Sequence, residues 1–260
     1  MPEVSQKYEE LVCVAGITDT GEWRRIYPIP WKLFWQNSEK SFKKKTWIEY
    51  ELKSDEPSDH RPESRKIKFE TVKPGPEASF SEIESLLKER LTTVEDLEKT
   101  GTTKQSLGVV LPTIIDFKPM SNAQYEKAFA KKPQKTLDGA PAIRLDIPEY
   151  KYQYFFKDDT DGRMHQCLCE DWEVGALYRN CKKMMEEGKY KDETVVHEKV
   201  RHKMLNEITR NGPVYFIMGS HFRFNKYMVV GVVYRKKGDY FGIIPGIGSI
   251  TKEDEFNTRL

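Results

Sequence analysis

Short runs of alternating apolar and polar residues open the chain, at residues 11–17, 23–29, 46–52 and 66–72, parted by Gly, Pro, Asp and Ser. A period of two puts successive side chains on opposite faces, so each run predicts a half-buried strand and together they predict a small all-β lobe. Asp19-Thr20-Gly21 predicts the tight turn that makes the first two runs a hairpin, because Gly accepts positive φ where the chain reverses.

Beyond Lys73-Pro74-Gly75-Pro76 the period becomes helical, with Phe80, Ile83, Leu86, Leu87 and Leu91 on one face, and Thr92-Thr93-Val94-Glu95 offers a cap to a second short helix. Residues 107–117 form a β-branched run expected to return to the sheet of the first lobe. Residues 119–141 are polar and rich in Lys and Pro, the composition of a linker. The division expected is a β domain with a helical insertion over 1–118, a linker over 119–141 and an α+β domain over 142–260.

In that second domain, residues 151–156 and 164–169 predict a strand pair joined by Asp158-Asp159-Thr160-Asp161-Gly162. Trp172, Ala176, Leu177 and Met184 mark one helix; Val195, Val196, Val200, Met204 and Ile208 mark another, ended by Asn211-Gly212-Pro213. Strand chemistry returns at 214–218, 227–234 and 240–244, and no internal repeat is evident. The fold class is α+β in two lobes.

Composition sharpens this only in part. A length of 260 residues suits two domains, and a net charge of +2 from 43 basic and 41 acidic residues allows local patches without making the chain a polycation. Four cysteines, Cys13, Cys167, Cys169 and Cys181, are too few for a disulfide scaffold and read as reduced thiols, so the expected location is the cytoplasm. The longest apolar run stops at Arg235-Lys236-Lys237, well short of the ~20 residues that span a bilayer, and no membrane partner is expected.

The candidate chemistry begins on the first hairpin, where Val12-Cys13-Val14-Ala15-Gly16-Ile17 is followed by Trp23-Arg24-Arg25-Ile26-Tyr27-Pro28. Indole, guanidinium and phenol groups on a β-ribbon can stack on bases and contact phosphates. These residues resemble the opening of a family of prokaryotic dual OB domain-containing proteins, in which a Cys-x-Ala-Gly strand precedes a Trp-x-Arg strand. The resemblance implies small five-stranded barrels whose open face takes single-stranded nucleic acid, and hence an OB-like N-terminal barrel; it names no catalytic residue.

Further cations and aromatics lie at Lys43-Lys44-Lys45-Thr46-Trp47, at Arg61, Arg65, Lys66 and Lys68, and in Ser220-His221-Phe222-Arg223-Phe224-Asn225-Lys226-Tyr227. Lysines also protect strand edges and aromatics fill cores, so each stretch has an ordinary structural use. His165, Cys167 and Cys169 share a strand face, with Cys181 on the next helix, but they lack the paired-ligand turn of structural zinc; the cysteines are read as buried and the histidine as surface or packed, with no metal. Glu170-Asp171-Trp172-Glu173 stands where a strand passes into a helix, a position in which acidic residues favour the helix dipole. Gly242-Ile243-Ile244-Pro245-Gly246-Ile247-Gly248 reads as a turn, since no helix follows to face a phosphate.

The sequence therefore points first to a protein that binds RNA or DNA, without cofactor, through Trp23, Arg24, Arg25, Tyr27, Trp47, Arg61, Arg65, Arg223 and Lys226. A second reading is a nuclease dependent on Mg2+ or Mn2+, using Asp171 and Glu173 with His165 or His221. A third is an adaptor that binds a protein partner in a defence or mobile-element system.

Overall fold

The computed structural model describes residues 3–4, 11–30, 39–121, 149–158, 162–221, 226–237 and 239. The alternating runs at the start form β1 (Glu3–Val4), β2 (Leu11–Ile17), β3 (Trp23–Pro30), β4 (Thr46–Leu52) and β5 (Ser64–Glu77), ordered β1-β2-β3-β5-β4 in one sheet. Neighbours are antiparallel except β3 and β5, which run parallel. The predicted hairpin is present: Thr18 Oγ1 accepts from the Glu22 N–H at 2.9 Å and Gly21 takes φ 84°. Arg90 reaches across Gly21 so closely that a Cβ there would lie 1.5 Å from its guanidinium. The fifth strand runs past its expected end through Pro74 and Pro76, which lie beyond the stretch paired with β3 and so interrupt no ladder on that side.

Two short helices follow, α1 (Phe80–Lys88) and α2 (Val94–Thr100). Ser79 and Glu82 form a full capping box on α1; as the sequence predicts, Thr93 Oγ1 accepts from the Asp96 N–H at 3.1 Å to start α2.

The second sheet contains β6 (Leu107–Val110), β7 (Thr113–Ser121), β8 (Tyr150–Lys157), β9 (His165–Cys169), β10 (Val214–Ser220) and β11 (Tyr227–Tyr234), ordered β6-β10-β11-β9-β8-β7. Residues 107–117 thus do not return to the first sheet. They pair with β10 and β8, and the chain changes sheets in the helical segment rather than at 119–141, whose first residues are still part of β7. The run is split at Leu111-Pro112 because proline has no N–H for a ladder. The remainder of the linker and the predicted strand at 240–244 lie outside the described residues.

This split bends the sheet. Laid flat, six strands would hold β6 and β7 roughly 24 Å apart at ~4.8 Å per strand spacing. Three peptide steps join Val110 to Thr113 and reach at most about 11 Å, so the sheet curls until its edges approach, without a ladder between them. Within the curl, Phe117, Tyr152, Tyr154, Phe156 and Phe216 are fully buried. Helices α3 (Trp172–Glu186) and α4 (Glu193–His202) are inserted between β9 and β10 and pack on this core through Val174, Tyr178, Val196 and Val200. The helix expected to reach Ile208 ends its α-geometry at His202 and continues as one π-helical turn, Lys203–Glu207.

Set side by side, the sheets repeat one scheme. In each, three strands form an antiparallel meander (β1-β2-β3, β7-β8-β9), the last strand runs parallel to the third (β5, β11), and the fourth (β4, β10) lies antiparallel beyond it. The sequence shows no such repeat because strand order is set by long-range pairing, not by local similarity.

Candidate nucleic-acid interface between the lobes

The outer face of the β2–β3 hairpin packs against the second sheet. Arg25, 4% exposed, donates to the Ser106 carbonyl at 3.3 Å, and Glu63 accepts from the Ser106 N–H at 2.7 Å and hydroxyl at 2.6 Å. Ile17 and Trp23 pack with Phe80 and Ile83 of α1 against Val109, Tyr215 and Val233. Trp172, at the start of α3, packs against the core of the first lobe, which it shares with Ile48 and Tyr50.

Beside this contact is a cleft of about 1330 Å³, lined from both lobes. Trp23, Trp47, Tyr50 and Trp172 supply aromatic surface, and Arg24, Lys43, Lys73, Lys203 and Lys236 supply positive charge. Arg24 is paired with Glu22 at 2.6 Å, Lys203 with Glu207 at 2.8 Å and Lys236 with Glu173 at 3.7 Å. Lys43 and Lys73 are exposed and carry no ion pair among the described residues, so they can meet an anion without breaking one. Burial pushes the Tyr50 hydroxyl up, and the nearby charges of Arg24 and Arg65 oppose that rise.

One polar contact ties the two lobes at the cleft. Lys44 reaches from the first lobe to Asp171 at 2.9 Å, Glu173 at 3.4 Å and the Val232 carbonyl at 2.7 Å. Asp171 is 4% exposed; it caps α3 through the Glu173 N–H at 2.9 Å and accepts from the Val232 N–H. Burial raises the carboxyl of Asp171, but Lys44 outweighs it and holds the group below the ordinary carboxylate range. Burial likewise disfavours the charge on Lys44, and Asp171 and Glu173 reverse that effect.

Of the residues predicted to bind, Trp23, Arg24 and Trp47 come together at the cleft. Arg25 is a correction: it is sealed between the lobes and cannot meet a ligand. Arg61 is also buried, at 8% exposed, and is held bidentately by Asp59 at 3.1 and 2.7 Å. Arg65 donates to the Pro62 and Ser64 carbonyls, Tyr27 is half-buried, and Lys226 is exposed just before β11. Arg223 lies outside the described residues, as does the turn predicted at 242–248. Lys203, Lys236 and Trp172 are the contributors that sequence reasoning missed. They belong to the second lobe, and nothing local in the sequence signals which sheet they will face.

The nuclease set is not assembled. Asp171 is committed to a cap and an ion pair, while His165 begins β9 at the opposite end from Asp171 and contacts Glu95 and Asp158 instead. His221 follows β10, its N–H bonded to the Lys226 carbonyl at 2.9 Å. Cys167, Cys169 and Cys181 are buried free thiols; burial pushes the Cys167 thiol up to about 12 and raises that of Cys169 well above its ordinary value, so neither is a ready thiolate ligand. No helix among the described residues is long and apolar enough to cross a membrane.

No curated protein and no solved structure matches the chain. Residues 1–95 match the family described as Domain of unknown function (DUF8758), and residues 89–255 match Domain of unknown function (DUF8757). The two matches meet at residues 89–95, where the chain passes from α1 to α2 and from one sheet to the other. Because the second match covers most of the chain, the protein belongs to the DUF8757 family.

Proposed function

We propose that the protein binds single-stranded RNA or DNA in the cleft between two OB-like lobes. The observation that carries the reading is the cleft itself, where aromatic faces from both lobes stand beside the exposed cations Lys43 and Lys73. The repeated strand scheme supports it. An OB barrel is a five-stranded Greek key with a meander, a fifth strand parallel to the third, and a first strand that bends to pair with both the second and the fourth. In the second lobe that bent first strand corresponds to β6 and β7, which pair with β10 and β8 respectively. The likeness of the N-terminal segment to dual OB domain-containing proteins points the same way.

Bases would stack on Trp47 while Lys43 and Lys73 neutralise phosphates, giving affinity with little sequence preference. The nuclease reading draws no support from Asp171, and no described surface favours a protein adaptor. Fluorescence anisotropy with labelled single- and double-stranded RNA and DNA across a salt series tests the proposal. Single strands should bind more tightly, intact with or without Mn2+, and with a steep salt dependence. The double variant Lys43→Glu/Lys73→Glu should flatten the slope of log K against log salt by about 0.7 for each phosphate that is no longer neutralised. Salt-insensitive binding, or none, would sink the reading.

A further inference from the structure

We infer that Glu95, Asp158 and His165 form a binding site for one divalent transition cation, Mn2+ or Zn2+, tying α2 to the β8–β9 strand pair. Three separate points of the chain meet there: the first turn of α2, the residue after β8 and the first residue of β9. One ligand atom from each lies within 4.8 Å of the other two. The imidazole Nε2 of His165 stands 3.1 Å from Glu95 Oε1 and 3.3 Å from Asp158 Oδ1. Neighbouring ligands around a cation bound at ~2.1 Å are separated by roughly 3.0–3.4 Å, so the two contacts of His165 have the spacing of adjacent donors in one coordination sphere.

Two further observations set the cluster apart from an ordinary ion pair. The second oxygen of Glu95, Oε2, is buried with no hydrogen-bond partner, a costly state for a carboxylate unless a cation satisfies it. One imidazole nitrogen also faces two carboxylates. A neutral ring can offer only one proton there, whereas with the proton on Nδ1 the Nε2 lone pair and both carboxylates can face the same ion. Arg163 also approaches Glu95, at 3.5 Å, but it is half exposed and divides itself between Glu95 and Glu98, the latter at 3.6 Å.

The surroundings hold the donors in place. Asp158 Oδ2 accepts from the Val94 N–H at 2.7 Å, and the Phe156 ring packs 5.3 Å from that of His165. Such supporting contacts orient the ligands of a metal site. Asp158 and His165 are 1% and 5% exposed, and Glu95, at 27%, is the side open to solvent through which an ion can enter. One nitrogen and two oxygens suit Mn2+ or Zn2+, with water completing the sphere, better than Ca2+, which takes six to eight oxygens.

The test uses the full chain, stripped with chelator and titrated calorimetrically with MnCl2 and with ZnCl2 at pH 7.5. One equivalent of at least one of the two should bind, with a rise in Tm. Glu95→Gln should weaken binding at least about tenfold with an unchanged circular dichroism spectrum, while Glu186→Gln on the exposed face of α3 should bind as wild type does. Glu95 carries the test because its side chain is partly exposed, whereas Asp158 also anchors the start of α2. No saturable binding of either metal, or equal binding by wild type and Glu95→Gln, would overturn the site.

Discussion

The first sheet encloses Val12, Ile26, Ile29, Phe42, Ile67 and Val72, mostly aliphatic, and completes this small core with half-buried Tyr50 and a tryptophan borrowed from the other lobe. The second sheet, built on the same strand order, seals Tyr152, Tyr154, Phe156 and Phe216 inside and adds two packed helices. A core that is nearly all buried spends its aromatics on stability, whereas an open one leaves them at the surface for a ligand. The second lobe is thus the scaffold and the first carries most of the cleft.

Mutation can test that contrast, and the largest effect should fall in the scaffold. Phe216→Ala removes a fully buried ring from the second core and should cost about 3–5 kcal/mol in urea unfolding, against about 1 kcal/mol for Ile67→Val in the first. Next comes the tie between the lobes. Asp171→Asn leaves Lys44 without its main partner; removal from a fully buried pair costs about 3–5 kcal/mol, and because Lys44 keeps 34% of its side chain in solvent a loss of about 2 kcal/mol is expected. A single cooperative transition that splits into two in this variant would show that the pair couples the lobes.

Trp47→Ala should leave the second core intact and weaken oligonucleotide binding by about 1–3 kcal/mol, the value of one stacked base. A far-UV spectrum unchanged from wild type would separate lost stacking from lost folding.

The smallest effect is on pH dependence. Burial holds the His197 imidazole, bonded to the Tyr152 hydroxyl at 2.8 Å, below its ordinary value, with Glu193 opposing. The unfolded chain therefore takes up a proton that the folded one resists, and stability should decline as pH falls below 6.5. His197→Gln should make Tm flatter between pH 7.5 and 5.5. Asp171 acts in a lower window: its depressed folded value stabilises the protein above about pH 4, and that contribution is lost on further acidification.

Local chemistry in the sequence reveals the elements but not their partners. The hairpin turn at Gly21, the caps at Thr93 and Asp171, and the buried cysteines Cys167 and Cys169 on one strand face follow from residue type and spacing alone, whereas the Ser79 cap and the burial of His165 emerge only in the structure. The return of residues 107–117 to the first sheet does not survive, because a β-branched run fits any sheet and only the break at Pro112 hints that it serves two edges. Arg24 and Arg25 differ in fate for a similar reason. Adjacent residues on a strand face opposite ways, and which face meets the other lobe is decided by pairings more than eighty residues away, such as that of Arg25 with Ser106.

Photo-crosslinking of a 4-thiouridine-containing single-stranded oligonucleotide, with the linked peptides mapped by mass spectrometry, probes the shared cleft without perturbing it. Binding there predicts links within residues 43–50 and 172–180, from both lobes at once. Links confined to one lobe, or to surfaces away from Trp47 and Trp172, would contradict it.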